Sequence, residues 1–260
     1  MSLVFAAVTP HTPLLIPTIG KDQLQTMVKT KEAMEQLEKE LYVARPQTIV
    51  IISPHSSIFP ESFSLNAHTR MSTSFEKFGD LATKKEWLGS PDLAAKIGHL
   101  AKEREFPIQL VSQDRIDHGA AVPLMYLTDH LPDIRVLVIG YSALSPEYHI
   151  RFGNLLKDAF LETDKRVAVI ASGDLSHEKK APTNSPEPYR FDATLMQILT
   201  EQGIQKLKNM DDPVIVAGEE CGYRSLLILL GILHDMKYTF KPYSYEHPFG
   251  VGYLAGQFIF

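Results

Sequence analysis

The chain has 260 residues, 44% hydrophobic and 22% charged, an ordinary globular balance that excludes a mainly disordered chain and supports a sizeable core. Its formal net charge is −5 and its isoelectric point is about 6.1, which excludes a broad basic face for nucleic acid or an anionic membrane. No apolar run reaches the roughly 18 residues of a membrane span.

Residues 3–8 form a short apolar run that reads as a strand and ends in Thr9-Pro10-His11. This opening segment has no cationic stretch and soon meets Pro10 and Pro13, so it does not read as a signal peptide. Residues 21–42 carry Leu24, Met27, Met34, Leu37 and Leu41 at helical spacing, and an amphipathic helix is expected. A second strand, 48–52, runs into Ser53-Pro54-His55. Residues 56–88 alternate aromatic and polar side chains and read as a hairpin or a long active-site loop. Ser90 and Pro91 suit the cap and first position of a helix over 91–104.

Asp117-His118-Gly119 has two readings of equal weight. It is a turn in which glycine supplies a positive φ, or a histidine presented at a helix entry. A short helix is expected over 122–130, a strand over 135–139, and a helix capped by Ser145 and Pro146 that runs to 161. A further strand, 166–170, leads into Ser172-Gly173-Asp174-Leu175-Ser176-His177. Residues 178–190, with three prolines, read as a surface loop, and 191–200 and 222–234 as helices. The glycine- and aromatic-rich stretch 245–253 either closes over a pocket or turns into a last strand. Strands alternating with helices point to one α/β domain over 1–260.

Ligands in such sheets bind beyond the carboxyl ends of the strands. Three strands here each deliver a histidine at that end: His11, His55 and His177. Imidazole is a common transition-metal ligand and a base near neutral pH, and two histidines with one carboxylate mark non-haem Fe(II) oxygenases. Glu219 and Glu220 could supply the carboxylate, although acids in the first turn of a helix are also favoured by its dipole. One histidine after a strand is ordinarily structural; the combination is what points to a metal. His68, His99, His130, His149 and His234 read as surface or packing residues. The sole cysteine, Cys221, excludes an intramolecular disulfide, and a reducing, cytoplasmic setting is expected.

Pro-His-Thr-Pro at 10–13, Ser-Pro-His at 53–55, Asp-His-Gly-Ala-Ala-Val-Pro-Leu at 117–124, Ser-Gly-Asp-Leu-Ser-His at 172–177 and Gly-Glu-Glu-Cys-Gly-Tyr-Arg-Ser at 218–225 occur in this order. With them the chain resembles the LigB-type (class III) extradiol ring-cleavage dioxygenase superfamily and its Memo-like relatives. It is similar in particular to the dioxygenase-like subfamily associated with AMMECR-type domains. The resemblance implies a three-layer α/β/α sandwich with a mixed, largely parallel central sheet. It implies that His11 and His55 hold Fe(II), that His177 is the acid/base, and that His118 is a second active-site histidine. It implies a glutamate as third metal ligand, with Glu220 first and Glu219 second. Memo-like relatives carry a cysteine before the matching glycine, where this chain has Cys221, and no tryptophan follows the glutamates. A set of two histidines and a cysteine would suit Zn or Cu. Two activities follow: O2-dependent cleavage of a catecholic ring, or a Memo-like metal-binding or redox role without ring cleavage. A metal-dependent hydrolase is the weakest reading, because no second carboxylate cluster is visible. The partners expected are a small aromatic substrate and O2, a second copy by base rate, and an AMMECR-type partner by resemblance.

Overall fold

The structure is a computed structural model that describes residues 2–177, 188–201, 203–210, 215, 218 and 220–260. Its strands are β1 (Leu3–Thr9), β2 (Thr48–Ser53), β3 (Phe63–Asn66), β4 (Arg70–Phe75), β5 (Asp80–Gly89), β6 (Ile108–Val111), β7 (Arg135–Gly140), β8 (Val167–Ser172), β9 (Thr239–Glu246) and β10 (Tyr253–Ile259). Its helices are α1 (Pro17–Gly20), α2 (Val28–Ala44), α3 (Pro91–Glu103), α4 (His118–Leu127), α5 (Pro146–Leu161), α6 (Arg190–Thr200), α7 (Ile204–Lys208) and α8 (Tyr223–Ile232).

The four apolar runs of the sequence become neighbours in one sheet of order β4-β5-β7-β2-β8-β1-β10-β9, with β3 joining β6 to β7. Contacts from β5 through β7, β2 and β8 to β1 are parallel, whereas β4, β9 and β10 are antiparallel to their neighbours. Every residue of β2 and β8 is buried, as a strand covered on both faces requires. Alternation then sorts the side chains. Val50, Ile52, Val167 and Val169 enter a core with α3, α5 and α8, while Ile49, Ile51, Ala168 and Ile170 enter one with α2 and α4. The outcome is a three-layer α/β/α sandwich with a mixed, largely parallel sheet. Each fully buried Leu or Ile contributes roughly 1.5–3 kcal/mol. On the first face α5 and α8 touch backbone to backbone: a Cβ on Gly231 would lie 2.4 Å from the carbonyl oxygen of Ile150.

Two helix expectations shift, and the hairpin-or-loop alternative resolves as a hairpin. The helix expected over 21–42 is a 3-10 stretch, Lys21–Met27, followed by α2, because Met27 leaves helical geometry at φ −115° and ψ 27°. Residues 56–88 resolve as β3 and the β4–β5 hairpin, whose tip turns through Gly79 at φ 83°. The helix expected from 122 begins at His118, because the Asp117 carboxylate caps it by accepting the N–H of Ala120 at 3.1 Å. Gly119 is therefore helical and not a positive-φ turn; its role is close approach, since a Cβ there would sit 2.5 Å from Ser53 Oγ. Stretch 245–253 is the turn from β9 into β10. Most of the expected surface loop, 178–187, lies outside the described residues. Among the described residues no helix is long and apolar enough to cross a membrane.

Candidate metal centre

The carboxyl ends of β1, β2 and β8 lie side by side, so the segments after them share one edge of the sheet. His11 is pinned there at two points. Its backbone N–H donates to Asp174 Oδ1 at 2.8 Å, and its Nδ1 lies 3.1 Å from Ser172 Oγ. The proton positions follow from chemistry. Pro123 sits inside α4 without an N–H, so it leaves the Gly119 carbonyl four residues earlier without its helical donor. Ser172 Oγ donates to that carbonyl at 2.5 Å. With its only proton spent, the hydroxyl must accept from His11, which places the proton on Nδ1 and leaves Nε2 a bare lone pair.

That lone pair faces the other imidazoles. His55 Nε2 is 3.1 Å from His11 Nε2, and the rings of His55 and His118 stack with centroids 4.3 Å apart. One nitrogen from each of His11, His55 and His118 falls within a 4.8 Å group. Burial first, and then the neighbouring imidazoles of His55 and His177, hold the pKa of His11 well below the ordinary histidine value. Burial and the rings of His55 and His11 push His118 down to about 4. Both rings are therefore neutral near pH 7, the form that binds metals. Imidazole nitrogens approach Zn to about 2.0–2.1 Å, so two imidazole nitrogens about 3 Å apart fit one shared cation. The donor set suits a transition metal.

His55 is exposed and sits beside Ser53, whose Oγ accepts its backbone N–H at 3.3 Å and donates to Asp117 Oδ1 at 2.5 Å. Asp117 thus ties the end of β2 to the start of α4. His177 follows β8, with its N–H donating to Gly218 O at 2.7 Å. Its Nδ1 is buried and has no hydrogen-bond partner among the described residues. The turn before it is clamped by Asp192 of α6, whose Oδ1 accepts from Ser176 N at 3.0 Å and Ser176 Oγ at 2.7 Å.

Glycines bring α8 to this edge. A Cβ on Gly173 would lie 2.1 Å from Gly222 Cα, and the amides of Cys221 and Gly222 donate to Asp174 O. Cys221 Sγ consequently lies 3.6 Å from His11 Nε2. Burial pushes its thiol pKa up, with Asp174 adding to the effect. Glu220 does not join the histidine group. Its Oε2 accepts the N–H of Tyr223 at 2.5 Å, capping α8, and burial raises its pKa to about 7. Glu219 lies outside the described residues.

The sequence reading left some contributors unassigned. Asp174, 6% exposed with its pKa raised by burial to about 6, stood inside a quoted motif without a role. Ser172 was legible only through the pairing of Pro123 with the strand end. Phe78, from the hairpin tip, lies edge-on to His118 with centroids 5.1 Å apart, and nothing in its local sequence announces that contact. Of the histidines read as packing or surface residues, His149 is fully buried and His130 pairs with Glu38 at 2.9 Å.

A family model described as the catalytic LigB subunit of aromatic ring-opening dioxygenase matches residues 5–256. Protein CA_C1420 of Clostridium acetobutylicum is 30% identical over 97% of this chain and 57% of its own length. The 4,5-DOPA dioxygenase extradiol of Mirabilis jalapa is 22% identical over 63% of this chain and 61% of its own. A 2,3-dihydroxyphenylpropionate/2,3-dihydroxicinnamic acid 1,2-dioxygenase of Xanthobacter autotrophicus is 24% identical over 66% of this chain and 56% of its own. The chain thus spans somewhat more than half the length of these relatives. The crystal structure of the uncharacterized protein JW3007 from Escherichia coli K12 superposes with a TM-score of 0.69 at 21% identity, covering 98% of this chain and 99% of that one. The two share a fold.

Proposed function

This chain belongs to the LigB family of aromatic ring-opening dioxygenases, and from that premise we propose that it is an Fe(II)-dependent extradiol dioxygenase cleaving a catecholic ring with O2. The observation that carries the reading is the pair of imidazoles with Nε2 atoms 3.1 Å apart, one of them, His11, locked in the metal-binding tautomer by Ser172. His11 and His55 would hold the iron. When bound, the iron supplies Lewis acidity toward the two diol oxygens and the electron path that makes O2 reactive toward the ring.

The remaining roles fall to protein groups. His177 takes a proton from a substrate hydroxyl and later returns it. His118, with its pKa pushed down to about 4, is neutral and donates a hydrogen bond to oxygen as negative charge develops. Insertion beside the diol would give a muconate-type semialdehyde. The two dioxygenase relatives carry substrates with a carboxylate-bearing side chain in their names, and a substituted catechol is the class favoured here.

A second reading has its own support. The nearest thiol, Cys221 Sγ, lies 3.6 Å from His11 Nε2, while Glu220 is engaged at the N-terminus of α8. To ligate through Oε2, Glu220 would have to give up the Tyr223 N–H. Two histidines and a thiolate would favour Zn or Cu and a metal-binding or redox role without ring cleavage. An AMMECR-type partner and a homo-oligomer belong to either reading as proposals.

Oxygen uptake after anaerobic Fe(II) loading, across a panel of catechols, tests the first reading. Uptake should accompany a yellow ring-opened product, and His177→Ala should lower turnover about 100-fold while leaving metal content intact. A filled iron site that consumes no oxygen with any catechol moves the assignment to the second reading. Loss of metal from His177→Ala makes that residue a ligand and refutes its role as base.

A further inference from the structure

The β4–β5 hairpin leaves the sheet early, since β4 pairs within the named strands only with β5, and β5 meets β7 only at Leu88 and Gly89. Its tip nevertheless has a fixed position. Phe75, on one side of the tip, is fully buried. Asp80, on the other, accepts from the Ala82 and Thr83 amides and from Thr18 Oγ1 of α1. Between these anchors Glu76, Lys77 and Phe78 project. Phe78 is 39% exposed, yet its ring meets His118 edge-on at 5.1 Å and 64°. A large apolar ring held at the site, with much of its surface still open, has apolar area left to bury.

Charge around this ring is uneven. Lys77 is exposed and forms no ion pair among the described residues, and its charge is felt at His118. Oδ1 of the neighbouring Asp117 accepts from Ser53 Oγ and the Ala120 amide, and its charge opposes that of Lys77 at His118. Asp174 is buried behind His11, whose amide it accepts. Glu76, on the tip itself, is exposed and forms no ion pair among the described residues.

We propose that this hairpin tip is the substrate-recognition wall of the site: Phe78 packs against the ring of an aromatic diol, and Lys77 pairs with a carboxylate on that ring's side chain. This rests on the aromatic-diol reading above and adds which protein groups select among diols.

Titration calorimetry on Zn(II)-loaded protein reads binding without turnover. The probes are catechol, 3-(2,3-dihydroxyphenyl)propionate and its methyl ester. The wild-type protein should bind the acid about three- to fivefold more tightly than the ester, the range of a partly exposed ion pair. Lys77→Met should equalise acid and ester and leave catechol unchanged, while Glu76→Gln should keep the preference. Phe78→Ala should weaken all three probes about fivefold, and Phe78→Leu should recover part of the loss. Circular dichroism on each variant confirms the fold. An acid preference that survives Lys77→Met, or wild-type affinity in Phe78→Ala, overturns the inference alone. A wild-type protein that binds none of the three overturns the aromatic-diol reading and this inference with it.

Discussion

Ser172→Ala isolates one oxygen atom that serves two masters. In the wild-type protein Ser172 Oγ donates to Gly119 O at 2.5 Å and accepts from His11 Nδ1 at 3.1 Å, with Ser172 fully buried and His11 2% exposed. Alanine leaves a carbonyl and an N–H without partners where water does not reach. Each such orphan costs about 1–3 kcal/mol, so a loss of roughly 2–4 kcal/mol in unfolding free energy is expected after partial relaxation. The metal should be affected separately. Without the acceptor, the proton on Nδ1 is no longer fixed and the ring can turn, and removal of such a partner lowers metal affinity about 10- to 100-fold. Urea unfolding of the metal-free protein measures the first quantity, and competition against a chelating dye the second. A variant with wild-type metal affinity would refute the tautomer argument, even if it were less stable. Unchanged stability would refute the hydrogen-bond assignment itself.

Other perturbations probe the remaining features. Glu220→Ala should retain the metal and lose about 1 kcal/mol of stability with the cap on α8, whereas Cys221→Ala should weaken metal retention; the opposite pattern in metal analysis would restore Glu220 as ligand. His149 is fully buried, donates from Nδ1 to Ser145 O at 2.9 Å and leaves Nε2 without a hydrogen-bond partner among the described residues. Burial lowers its pKa from 6.5 to about 4, so the unfolded chain binds the extra proton between those values. The resulting stability, up to about 3 kcal/mol, is present above pH 6.5 and is lost as pH falls toward 4. His149→Phe should flatten that slope in unfolding curves taken across the window, and an unaltered slope would exclude His149 as its source. Gly231→Ala would set a Cβ 2.4 Å from Ile150 O; the helices must part, and chemical denaturation should show a loss of about 1–3 kcal/mol.

The buried half of the fold was legible because burial on both faces writes a simple code. Residues 49–52 and 167–170 are apolar without a break, and the corresponding strands, Thr48–Ser53 and Val167–Ser172, are buried throughout. The outer strands follow another code. Thr239–Glu246 contains Lys241 and Pro242 and is largely unburied along its length, and Asp80–Gly89 alternates exposed Lys84 and Glu86 with half-buried residues, so apolar continuity did not mark them. The three histidines at strand ends were legible because parallel strands open onto one edge. His118 was half legible: its helix starts with a cap that the local triplet does show, but the need for Gly119 comes from Ser53, 66 positions away in the chain, a distance no local pattern carries. The placement of Glu220 on Tyr223 and of Cys221 beside His11 depends on the contact of Gly173 with Gly222, which exists only once β8 and α8 have met.

The position of β1 also bears on how the chain reaches its native state. This strand carries His11 just beyond its end, and it lies between β8 and β10. Its sheet partners come from Val167–Ser172 and Tyr253–Ile259, so a run of seven mostly apolar residues made early must wait for almost the entire chain to emerge. Non-local pairing of this kind slows folding and leaves sticky intermediates. During synthesis β1 is a target for chaperones, and a ribosome-bound chain halted before β10 would present one unpaired edge of β1. The metal centre would then be among the last parts of the molecule to assemble, so metal uptake would report on the final folding step.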